Sequence, residues 1–137
     1  MTLRPFGSGV PLVIDASAWN RQREPRVRAG WLATNEADLL ASCPVAALEI
    51  LTVVRSEQEF ATAAAAFSAL PQVPVTASVC RAALGASREL RGSRRLPVAD
   101  YLIAAAAAER GFGVLHADRH FDLLASVLNF ESVRLPE

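Results

Sequence analysis

The chain has 137 residues, of which 52% are apolar and 20% charged, with a formal net charge of zero. That balance describes a folded chain with ample core material, excludes global disorder, and suits a single domain over residues 1–137. All 14 basic residues are arginine, which excludes chemistry that needs a lysine: a lysine-bearing phosphate loop, Schiff-base formation and receiver-type phosphorylation.

In chain order, Val10–Ile14 follows a Gly/Pro-containing lead and is predicted to be a buried, parallel-type strand. A short helix is predicted from Ala16 to about Arg23, ended by Pro25, and a second from about Val27 to Glu36 with Trp31 and Leu32 facing inward. Leu39–Ser42 follows as a short strand. Pro44 suits the first turn of a helix, where its missing N–H costs nothing, and that helix extends to about Ser56. An alanine-rich helix over Glu57 to Leu70 is stopped by Pro71, and Val73–Val75 is a third strand. Thr76 or Ser78 caps a helix reaching Arg91, and Gly92 to Arg95 is a loop. Pro97 opens a helix that stops at Gly111. Gly113–Ala117 is a fourth strand, Phe121–Val127 a short helix, and Ser132–Leu135 a last edge strand. Strands alternating with helices imply an α/β fold: three α/β/α layers around a mostly parallel sheet of about five strands.

No apolar run reaches the roughly 20 residues of a membrane helix; the run Leu102–Ala108 meets Glu109 and Arg110. Pro5, Gly7 and Gly9 interrupt the N-terminal stretch, so neither a secretory leader nor a membrane association is expected. Cys43 and Cys80 are too few for a disulfide framework or zinc knuckle; they read as small buried hydrophobes in a reducing cytoplasm.

Four acids carry the functional signal. Asp15 and Asp118 each end an apolar strand run, whereas Glu49 and Asp100 lie inside apolar helical patterns. In parallel α/β sheets chemistry gathers outside the carboxyl ends of the strands. Carboxylates buried there are costly unless neutralised, and a divalent cation is the simplest neutraliser. Oxygen-rich donors suit Mg²⁺ or Mn²⁺, ions that activate water and stabilise a leaving oxygen in phosphodiester hydrolysis. Each acid alone also fits an ordinary place near a helix start, where the dipole favours negative charge.

Two arginine stretches, Arg21 to Arg28 and Arg88 to Arg95, fit either a solvated surface or a grip on phosphates; Arg21, Arg23, Arg91, Arg94 and Arg95 are the candidates for that grip. Trp19, beside the first acid, could stack a base or pack the first helix on the sheet. His116, Asp118 and His120 form an H-x-D-x-H string that could hold a transition metal, or simply cap a strand end.

Four ordered blocks, Val13-Ile-Asp15-Ala-Ser17, Pro44-Val-Ala-Ala-Leu-Glu49-Ile-Leu, Leu96-Pro-Val-Ala-Asp100-Tyr-Leu-Ile-Ala-Ala and Leu115-His-Ala-Asp118-Arg-His-Phe121-Asp122, resemble the PIN-domain ribonucleases, and most of all the VapC toxins of toxin–antitoxin pairs. The resemblance implies a cytoplasmic, metal-dependent endoribonuclease that inhibits growth. It makes Asp15, Glu49, Asp100 and Asp118 the catalytic, metal-binding acids, with Mg²⁺ or Mn²⁺ as cofactor. Ser17 takes the family's small-hydroxyl position and orients the first acid. Many relatives carry a further Asp where this chain has His120, so His120 or Asp122 is the candidate for that supporting place. The resemblance also implies a VapB-type antitoxin, bound through Trp19, Trp31 and Leu51 with its tail across the acidic cleft, together with a homodimer and a toxin–antitoxin hetero-oligomer. Three alternatives remain: a non-toxin PIN nuclease of RNA processing, a non-catalytic PIN-like binding module, and a haloacid-dehalogenase-like phosphatase. The phosphatase would need an acid where Ser17 stands.

Overall fold

A computed structural model describes residues 4–137. Its elements are β1 (Leu12–Ile14), α1 (Ala16–Trp19), α2 (Pro25–Glu36), β2 (Leu40–Ala41), α3 (Pro44–Leu51), α4 (Glu57–Ser68), α5 (Ala77–Glu89), α6 (Val98–Arg110), β3 (Gly113–His116), α7 (His120–Leu124) and β4 (Glu131–Arg134). The sheet has the order β2-β1-β3-β4, and every pairing is parallel.

Both faces of the inner sheet are covered, which is why β1, β2 and β3 are buried at every position, while the edge strand β4 carries polar residues. Leu12, Ile14, Leu40 and Leu115 pack with Ala18, Val27 and Trp31 on the α1/α2 side. Val13, Ala41 and Val114 point the other way, into a core shared with α5 and α6. There Ala104, Ala105, Ala106 and Ala107 are all buried, so α6 lies close against the strands. Gly113 is required by the close approach of β4: a Cβ would sit 2.7 Å from the Glu131 carbonyl oxygen. α6 ends at Gly111, whose φ of 70° is left-handed, and Phe112 N–H reaches back to Ala107 O at 2.9 Å.

The three-layer parallel architecture agrees with the sequence expectation, but the sheet has four strands where about five were expected. Val73–Val75 forms no strand. Its only pairing is a bridge between Ser42 and Gln72, with Val73 N–H donating to Ser42 O at 2.7 Å. Pro71 and Pro74 flank this point, and neither has an N–H to extend a ladder. The third helix stops at Leu51 rather than near Ser56, because the Ser56 hydroxyl accepts from Glu59 N–H and starts α4 instead. Leu32 was expected inside but is 39% exposed, and Cys80 is exposed while Cys43 is buried.

The sheet order places the site. β1 and β3 are neighbours with Ile14 opposite Leu115, so their carboxyl ends open at one edge. α6 leads into β3 through the tight turn at Gly111, so its first turn lies at that same end.

Candidate functional site

Asp15 follows β1 directly and caps α1. Its Oδ2 accepts from Ser17 N–H at 3.0 Å and from the Ser17 hydroxyl at 2.5 Å. The same hydroxyl oxygen accepts from Ala117 N–H at 2.9 Å, and Asp15 N–H donates to Leu115 O at 3.0 Å. Ser17 thus clamps the first acid to the chain leaving β3. With its hydroxyl engaged this way, Ser17 orients a carboxylate and is not itself a second acid.

Asp100, in the first turn of α6, is buried. Asp118 lies between β3 and α7, and its Oδ1 accepts from His120 N–H at 3.0 Å. The His120 ring bridges the two: Nδ1 lies 2.9 Å from Asp100 Oδ2 and 3.1 Å from Asp118 Oδ2. Among the described residues, donor atoms of Asp100, Asp118 and His120 all lie within 4.8 Å of one another. Asp15 and Glu49 stand outside that tight group but within its field. The Asp100 carboxyl is pushed up to about 6, first by its burial and then by Asp15, with Asp118 adding and His120 only partly opposing. Glu49 lies at the exposed rim, and its carboxyl is raised by partial burial and by Asp15.

The donor set fits a hard divalent ion. Several carboxylates share one edge, burial and then Asp15 push the Asp100 carboxyl upward, and among the described residues one imidazole is the only cationic candidate at hydrogen-bond distance. A divalent cation supplies the missing positive charge without a proton.

Other candidates sit elsewhere. His116 is fully buried and turned away from the acids: its Nδ1 accepts from Asp118 N–H at 3.1 Å, and Nε2 meets Ser132 Oγ at 2.7 Å. The H-x-D-x-H string therefore does not converge on one ion. Asp122 accepts from Ser132 Oγ at 2.8 Å and faces Arg134 at 3.6 Å, so of the two residues expected in a supporting place, His120 lies among the acids and Asp122 does not. Phe121, wholly buried between them, splits these neighbours onto opposite sides. Ser132 and Arg134 escaped the sequence reading, since a lone Ser and Arg on an edge strand carry no pattern.

Arg91, Arg94 and Arg95 are exposed on the segment entering α6, at the same end as Asp100. Arg23 is exposed as well. Arg21 is engaged: its Nε donates to both Glu24 oxygens at 3.0 and 3.1 Å, and its NH2 to Pro136 O at 2.6 Å. Trp19 is half-buried, 4.5 Å from Phe67 and 6.3 Å from Trp31 between ring centroids. It borders two grooves, one of about 590 Å³ with Trp31, Leu32 and Leu70, the other of about 580 Å³ with Arg23, Ser56 and Glu59. Neither groove contains the acids. Trp31 is only 5% exposed, and Leu51 packs beside Ile50 and Phe67.

The family model described as PIN domain matches residues 12–127. Ribonuclease VapC51 of Mycobacterium tuberculosis is 38% identical over 117 residues, covering 84% of this chain and 85% of that protein. Ribonuclease VapC18 of the same organism is 34% identical over 119 residues, covering 83% and 87%. Among solved structures, VapBC-5 of M. tuberculosis, described as a member of the VapBC family of toxin–antitoxin systems, is similar at a TM-score of 0.65. It shows 23% identity and covers 92% of this chain and 99% of that one. These matches leave no place for the haloacid-dehalogenase alternative.

Proposed function

The chain belongs to the PIN domain family, among the VapC ribonucleases, and on that premise we propose that it is a Mg²⁺- or Mn²⁺-dependent endoribonuclease acting as the toxin of a toxin–antitoxin pair. The observation that carries this reading is the convergence of Asp100, Asp118 and His120 at the ends of β1 and β3, with the Asp100 carboxyl pushed upward first by its burial and then by Asp15.

In this account Asp15, Asp100 and Asp118 hold the ion, with Glu49 at the rim. A divalent ion bound there would supply an activated water and a counter-charge for the leaving oxygen of a phosphodiester. Ser17 keeps Asp15 in place by its two hydrogen bonds and ties it to Ala117 N–H, so the first acid does not turn away under repulsion from Asp100. Glu49, with its raised carboxyl, is suited to hold or receive a proton from water near the rim. Arg91, Arg94 and Arg95 stand where an RNA backbone entering the acidic end would pass, and Arg23 is a second contact. Products would carry a 5′-phosphate and a 3′-hydroxyl.

A nuclease of this kind inhibits growth in the cytoplasm unless restrained. The relatives' names and the toxin–antitoxin title of the similar structure support a VapB-type antitoxin as the restraint. We place it on the Trp19 side, where Trp31 and Leu32 line a groove and Leu51 packs in the same cluster as Trp19. Homodimers and toxin–antitoxin hetero-oligomers complete the proposed assembly.

The test is hydrolysis of a structured RNA set against a phosphomonoester, with Mg²⁺, with Mn²⁺ and with chelator. RNA cleavage only in the presence of metal is expected; equal cleavage in excess chelator contradicts the reading.

A further inference from the structure

Two histidines follow the same strand, and these are the only histidines of the chain. Each partner of His116 is accounted for inside the fold. Its Nδ1 accepts from a backbone N–H, so its proton lies on Nε2 and goes to Ser132 Oγ, which in turn donates to Asp122. That chain of bonds points away from the acids and leaves no lone pair free.

His120 is placed differently. The same ring atom, Nδ1, meets a carboxylate oxygen of Asp100 and one of Asp118, at 2.9 and 3.1 Å. Adjacent donors of an octahedral shell with bonds of about 2.1 Å lie about 3.0 Å apart. The nitrogen lies at hydrogen-bond distance from both oxygens, a spacing that ligands around one ion can also adopt, so an ion could be taken up there with little movement of the three side chains. The ring is also held for that purpose from behind: Asp118 fixes the His120 backbone N–H at 3.0 Å, and the neighbouring Phe121 is wholly buried.

We propose that His120 is a nitrogen ligand of the metal centre, so that the ion is held by a mixed imidazole and carboxylate set, which favours Mn²⁺ or a later first-row ion over Mg²⁺. This inference rests on the metal-centre reading and narrows it. Carboxylate and water shells suit Mg²⁺, whereas an imidazole adds affinity along the series from Mn²⁺ upward and little for Mg²⁺.

The experiment is pulsed electron paramagnetic resonance of Mn²⁺ added to the purified chain, read for nitrogen modulation from a coordinated imidazole. With His116 enclosed in its own hydrogen bonds, His120 is the only imidazole able to give that signal. Nitrogen modulation in the wild type, lost in His120→Asn while Mn²⁺ still binds, is the expected result. A second arm measures Mn²⁺ and Mg²⁺ affinities by calorimetry for the wild type and His120→Asp. Restoring an oxygen donor should lower the Mn²⁺-to-Mg²⁺ affinity ratio by about tenfold. Bound Mn²⁺ without nitrogen modulation, modulation that survives His120→Asn, or an unchanged ratio each overturns the inference and leaves the carboxylate centre standing. Wild-type protein that binds no Mn²⁺ at all overturns both. The wild-type spectrum decides the matter even where a variant fails to fold.

Discussion

Around His116, donors and acceptors match one for one: Asp118 N–H, the imidazole, Ser132 and Asp122 form a closed series, with Arg134 3.6 Å from the terminal carboxylate. Four residues on, the His120 ring stands alone against two carboxylates, Asp100 and Asp118, with Asp15 adding its charge from outside that group. The two clusters share a strand end and a buried phenylalanine yet differ in balance. A balanced cluster stabilises the fold, because buried polar groups that meet partners lose little on leaving water. An unbalanced one costs stability and persists where something outside the chain is meant to complete it.

The largest expected effect comes from removing charge on the unbalanced side. Asp100→Asn should lower RNA cleavage by about a thousandfold or more, roughly 4 kcal/mol of transition-state stabilisation. The same variant should be more stable than wild type when metal-free at pH 7, by about 1–2 kcal/mol. Single-turnover cleavage and urea melts in chelator give the two numbers. A variant that loses both activity and stability would mean that Asp100 is an ordinary structural acid.

Breaking the balanced side should do the reverse. Ser132→Ala leaves His116 Nε2–H and an Asp122 oxygen without their shared partner, and should cost about 1–2 kcal/mol of stability. Cleavage per folded molecule should stay within about twofold of wild type. A loss of cleavage without a loss of stability would place Ser132 in the chemistry.

The pH dependence sharpens the same contrast. In the fold the Asp100 carboxyl is raised to about 6, so the folded state favours its protonated form. Its contribution is fully present below the ordinary carboxylate range, near pH 4, and is lost as pH rises through about 6. Metal-free protein should therefore lose stability between roughly pH 4 and 7, and saturating Mn²⁺ should flatten that slope. Melting temperatures across this range, with and without Mn²⁺, read it directly.

A smaller effect is expected from the arginines. Replacing Arg91, Arg94 and Arg95 together should reduce the salt dependence of RNA binding by up to about two units of slope, given about 0.7 per phosphate contact on single strands. Metal affinity should not change. An unaltered slope would make this segment an ordinary solvated surface.

The strand ends were legible because apolar runs stopping at an acid need no tertiary information: Asp15 and Asp118 fall where the sheet order puts them side by side. Asp100 was legible from the helix start at Pro97. The roles of the two histidines were not, since His116 and His120 differ in sequence by nothing that fixes ring direction. That direction is set by Phe121, which fills the core and turns His120 toward Asp100 while Asp122 turns toward Ser132. The missing fifth strand had a local cause, visible in hindsight as the two prolines around Val73. Trp31 and Leu32 were separable only by contact with the sheet, which buried the first and exposed the second.

The most direct test of the central claim, that these carboxylates serve a metal and not the fold, is cleavage of a structured RNA by Asp15→Asn beside wild type in Mn²⁺. Circular dichroism of both samples establishes that each is folded. Asn keeps the shape and can still accept from Ser17, but it removes the charge. Cleavage to 5′-phosphate ends by wild type, with none by folded Asp15→Asn, is the predicted result. Full cleavage by the folded variant would contradict the account.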